Sequence, residues 1–118
     1  MNTPTPEQLH IFGQLIAHAG GLAPILEAQF AASRTKGWAF CGVCFDLEVA
    51  GDVPLLPEGT ERPLAFEVDP AAASDLVQVL LWHDDGRSSG IEVSAVDDPH
   101  PGLRNLQIIG CLRENRAP

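Results

Sequence analysis

Between Ser33 and Trp38 the spacing of apolar residues changes from threes and fours to twos, and few features of this chain restrict its fold as much. Leu9, Phe12, Leu15, Ile16 and Ala19 recur at the intervals of one helix face, and Leu22, Ile25, Leu26 and Phe30 repeat the pattern. Thr5, Pro6 and Gln8 supply a side-chain cap, a first-turn proline and a capping-box partner, while Gly20-Gly21 suits a helix end. The spacing predicts helices over about 6–19 and 22–33, with Pro24 tolerated in a first turn.

From Trp38 onward the pattern is that of strands. Trp38 and Phe40, then Phe45, Leu47 and Val49, alternate with small or acidic residues and predict one strand over about 38–49, bulged at Gly42. The segment from Gly51 to Pro63, rich in proline and glycine, reads as an exposed loop inside one domain. Further strands are expected over about 64–69, 76–83, 90–96 and 106–111. Asp84-Asp85-Gly86-Arg87 carries the Asp-Gly signal of a two-residue hairpin turn. A turn of that length sets Leu80 against Ile91 and Gln78 against Val93. It thereby places Leu76, Leu80, Trp82, Ile91, Val93 and Ala95 on the core side, and Val77, Val79, Leu81, Glu92 and Ser94 on a mixed outer side. The expected fold class is α+β, with two N-terminal helices packed on one face of an antiparallel meander of about four strands.

The 118 residues fit a single domain able to bury a core without staples. Sixteen acidic residues against seven basic ones give a net charge of −9, which disfavours nucleic-acid binding because phosphate affinity depends on Lys and Arg. The longest apolar runs are too short for a membrane span, and the first residues do not read as a secretory signal, so a cytoplasmic location is expected. The acidity favours solubility and fast encounter with a basic partner.

Three cysteines, Cys41, Cys44 and Cys111, are an odd count, and reduced thiols are the simpler expectation. Cys41-Gly42-Val43-Cys44 has the spacing of a redox pair or of half a zinc site. The strand-like residues after it fit neither use well, and the metal or redox reading stands as an alternative. His83 beside Asp84 and Asp85 has the composition of an oriented general base, yet the same residues flank a turn that favours Asp for its backbone geometry. No phosphate loop or calcium-loop spacing is present, and neither a catalytic centre nor a cofactor is expected.

Cys44-Phe45-Asp46-Leu47, the run Val79-Leu80-Leu81-Trp82-His83-Asp84-Asp85-Gly86-Arg87-Ser88-Ser89-Gly90-Ile91-Glu92-Val93 and the Asp97-Asp98-Pro99 turn resemble a pattern found in small uncharacterised bacterial domains. The pattern brings no activity or cofactor with it. In size and charge the chain is also similar, by analogy, to immunity proteins that neutralise bacterial toxins. That likeness implies a non-enzymatic inhibitor of a basic protein. Asp46, Glu48, Asp84, Asp85, Glu92, Asp97 and Asp98 would steer the encounter, and Val79 and Leu81 would add apolar contact. A self-associating subunit that dimerises through the mixed sheet face is a further alternative.

Overall fold

The computed structural model describes residues 1–38, 41–69, 77–95 and 106–111. Helix α1 spans Pro6–Ala17; Thr5 caps it, with the Gln8 amide N–H donating to the Thr5 hydroxyl and the Thr5 N–H donating to Gln8 Oε1. It stops short of the expected Ala19, because Gly20 takes a left-handed conformation (φ 59°) and opens a 3-10 turn, Gly20–Leu22. Helix α2 follows over Ala23–Ala31 with proline in its first turn. Among the described residues no helix is long and apolar enough to cross a membrane.

Among the described residues six strands follow: β1 Ser33–Trp38, β2 Cys41–Val49, β3 Leu64–Val68, β4 Val77–Asp84, β5 Arg87–Ala95 and β6 Ile108–Cys111. They form one sheet in the order β1-β2-β5-β4-β3-β6, and every pairing is antiparallel. The class is α+β as expected, but a simple four-stranded meander is corrected on two counts. First, the chain folds Ser33–Val49 into a hairpin rather than one long strand from Trp38. The buried positions of β1 are Ser33 and Thr35, both polar, so this strand carries no apolar alternation to announce it. Second, the connection between β2 and β3 carries the chain past β5 and β4, which leaves β2 beside β5 in a Greek-key connectivity.

The helices cover one face of the sheet. Phe12 of α1 stacks on Phe30 of α2 with ring centroids 4.3 Å apart and meets Phe45 of β2 edge-on at 5.9 Å. Ile11, Leu15 and Leu26 join Leu64, Phe66, Val79, Leu81, Ile91 and Val93 in the same core. The assignment of Val79 and Leu81 to an outer contact surface is therefore corrected, since both have no exposed area. The hairpin begins as expected, with Asp84 opposite Arg87 and His83 opposite Ser88, but Trp82 then pairs with Gly90. Ser89 is the extra residue of a bulge, and a single insertion exchanges the two faces of all that follows on β5. Val79 thus pairs with Val93 and Leu81 with Ile91, inward, while Leu80 and Trp82 turn outward.

One buried amide ties three elements together. Gln29 of α2 is fully buried; its Nε2 donates to the carbonyls of Pro54 and Gly86 at 2.9 and 2.8 Å. Its Oε1 accepts from the Ser88 amide and hydroxyl, each at 2.8 Å. The α2 helix, the loop after β2 and the β4–β5 hairpin are thereby locked to one another without an unsatisfied group on that side chain.

Candidate functional site

An antiparallel sheet covered on one face leaves the other to water, and that face is expected to be polar. Here it also carries aromatic residues. Outward positions include Arg34, Lys36 and Trp38 on β1, Asp46 and Glu48 on β2, Glu92 on β5, Leu80, Trp82 and Asp84 on β4, and Glu67 on β3. Two partly buried tryptophans on the open side of a sheet are the informative feature, since lone exposed aliphatic residues are ordinary.

Both indoles are oriented by carboxylates. Trp38 Nε1 donates to Asp46 Oδ1 at 2.8 Å, and Trp82 Nε1 donates to Glu92 Oε1 at 3.0 Å. Between them lies Gly90, the register partner of both Asp46 and Trp82. A β-carbon at Gly90 would stand 3.9 Å from Trp38 Cζ2. The Trp38 ring therefore packs over backbone that has no side chain of its own. Asp46 and Glu92 have two functions in this arrangement: they fix the rings and contribute negative charge. Across the edge hairpin, Lys36 opposes Asp46 and Arg34 opposes Glu48, so the cationic residues gather at the β1 side.

A cleft of about 600 Å³ adjoins the far end of this face. The loop after β2 and the β4–β5 turn form its walls, including Glu58, Thr60, Arg62, Asp84 and Asp85. The turn is built for close approach: Asp85 and Gly86 both have positive φ (52° and 82°), and a β-carbon on Gly86 would fall 2.9 Å from Leu55 Cβ. His83 points inward instead, 7% exposed, and its Nε2 donates to the Glu61 carbonyl at 2.7 Å. That bond occupies the ring nitrogen in holding the loop. The neighbouring Arg62 pairs with Asp84, donates through Nε to the His83 carbonyl at 2.7 Å, and stands over the Trp82 ring.

Of the acidic residues singled out from the sequence, Asp46, Glu48, Asp84 and Glu92 share the open face, and Asp85 sits at the adjoining hairpin tip. Asp97 and Asp98 lie outside the described residues. The apolar members expected there, Val79 and Leu81, are replaced by Leu80, Trp82 and Trp38, the last two being the functional candidates that the sequence reading did not place on this face. The β-type alternation was visible; the one-residue bulge that decides which half of it faces out was not.

The expectation of free thiols at Cys41 and Cys44 is also corrected: the two are joined in a disulfide with Cα atoms 5.4 Å apart. A bonded pair offers no thiolate to a metal. Among the described residues, no group of three or more His, Cys, Asp or Glu side chains is placed to hold one. Cys44 Sγ instead accepts from the Val93 amide at 3.3 Å, and Cys41 lies opposite Trp38 in the β1–β2 ladder.

No family model, curated protein or solved structure matches the chain.

Proposed function

We propose that this protein is a binding module that docks a basic protein partner on its open sheet face, acting as an inhibitor in the manner of an immunity protein. One observation carries the reading: the face left free by the helices presents Trp38 and Trp82, each anchored to a carboxylate, within a field of Asp46, Glu48, Asp84 and Glu92. Tryptophan is the residue most enriched among binding hot spots, and oriented rings lose little freedom on docking. The net charge of −9 supports long-range attraction of a cationic partner. The test is affinity capture from cells of the source organism with wild type and with Trp38→Ala/Trp82→Ala. The reading predicts a basic protein retained by wild type and lost by the variant. A neutral or acidic partner, or equal retention by both, contradicts it.

The Cys41–Cys44 disulfide supports a second reading, thiol–disulfide exchange. An external dithiol would break the sulfur–sulfur bond, leave two cysteine thiols and itself become a disulfide. The two cysteines are 7% and 3% exposed, which shields both sulfurs from attack and ranks this reading below the first. Alkylation of both thiols after mild reduction of the folded protein, with re-oxidation by a disulfide substrate, would favour it.

A further inference from the structure

The open face already holds one guanidinium, and the way it is held points to the chemistry of what docks there. Arg62 Cζ stands 5.9 Å from the Trp82 ring centroid; Nη2 pairs with Asp84, and Nε donates to the His83 carbonyl at 2.7 Å. An aromatic face, a carboxylate and a carbonyl suit a guanidinium better than an ammonium, because the planar fork stacks flat on the ring while its spread N–H groups reach both oxygens, whereas an ammonium is a compact point charge. The bond from Trp82 Nε1 to Glu92 Oε1 favours the ring orientation that presents this face to Arg62.

This internal occupant is weakly held. The Arg62 and Asp84 side chains are 55% and 61% exposed, so their ion pair is screened by water and salt. Arg62 also comes from the loop preceding β3 rather than from the sheet, and beside it opens the cleft whose rim carries Glu58 and Asp85. Glu58, Asp84 and Asp85 at this end outnumber its two arginines, Arg62 and Arg87, of which Arg87 is held on the Val49 and Gly51 carbonyls.

We propose that Trp82, Asp84 and the His83 carbonyl form a guanidinium seat that Arg62 fills in the free protein and that an arginine side chain of the basic partner takes over on docking, Arg62 swinging into the adjoining cleft. This rests on the docking reading above and adds the residue type that the face selects. Charge complementarity and the resident Arg62 together favour arginine over lysine or an uncharged ligand.

The test uses N-acetyl-arginine amide as the probe, titrated against wild type and Arg62→Ala and read by tryptophan fluorescence and by the two indole N–H resonances. Emptying the seat should give Arg62→Ala saturable binding at roughly millimolar concentration, about tenfold tighter than wild type. The Trp82 resonance should shift while that of Trp38 stays in place. Trp82→Leu added to Arg62→Ala should abolish binding, with an unchanged far-ultraviolet spectrum showing that the sheet persists. N-acetyl-lysine amide should bind several-fold more weakly. Equal binding by wild type and Arg62→Ala, retention of binding with Trp82→Leu, or equal affinity for the lysine probe would overturn the proposal. These outcomes are read apart from the docking reading, which fails if the captured partner is neutral or acidic or is retained equally by the Trp38→Ala/Trp82→Ala variant.

Discussion

Gln29 and Gly86 meet at a single point, where the Gly86 carbonyl accepts from the Gln29 amide and also from the Leu56 N–H. Replacing Gln29 by Leu keeps the volume similar but leaves the Pro54 and Gly86 carbonyls and both Ser88 donors without that partner. Chemical denaturation should show a loss of roughly 2–4 kcal/mol, because stranding buried polar groups costs more than the bonds themselves contribute. Gly86→Ala should cost roughly 1–3 kcal/mol in the same measurement, since an L residue is strained at φ 82° and its β-carbon meets Leu55. The disulfide is a third residue-scale feature. Its loop is short, so Cys41→Ser/Cys44→Ser should lower stability by about 2 kcal/mol while partner binding stays within twofold of wild type. Loss of binding in that variant, with the fold intact by circular dichroism, would favour the thiol reading.

At the scale of elements, the parts that the chain announces locally are those whose signals are chemical and short-range. The capping box at Thr5 and Gln8, the Gly20-Gly21 stop and the Asp85-Gly86 turn each act through backbone groups a few residues away, and each stands in the structure close to its expected place. Strand β1 escaped notice because Ser33 and Thr35 face inward, Ser33 donating to the Phe30 carbonyl and Thr35 to Gln8 Oε1. Its burial depends on polar partners supplied by α1 and α2, which no periodicity of its own could reveal. The two faces of β4 are exchanged for a different reason, while Ile91 and Val93 of β5 stand inward as expected: strand parity is all-or-none, and Ser89 reverses it between the turn and Ile91. Deleting Ser89 tests this directly. The account predicts that Ile91 and Val93 would be driven outward, with a loss of roughly 3–6 kcal/mol in denaturation. Stability unchanged by the deletion would mean that the bulge does not set the register.

Taken as a whole molecule, the protein has one sheet face covered by the helices and closed into the core, and an opposite face that carries charged residues and two tryptophans. The Greek-key connectivity gathers β2, β5 and β4 side by side, which brings Asp46 of the β1–β2 hairpin onto one surface with Trp82 and Glu92 of the β4–β5 hairpin. Asp46→Asn, Glu48→Gln, Asp84→Asn and Glu92→Gln together remove four negative charges at nearly constant shape and take the net charge from −9 to −5. Association and dissociation rates of the captured partner across a salt series, for wild type and this variant, test whether the acidic open face steers docking. The account predicts that wild-type association slows steeply as salt rises, that the variant associates about tenfold more slowly at low salt, and that the two converge at high salt as the charges are screened. Association that is independent of salt and equal in the two proteins would contradict it.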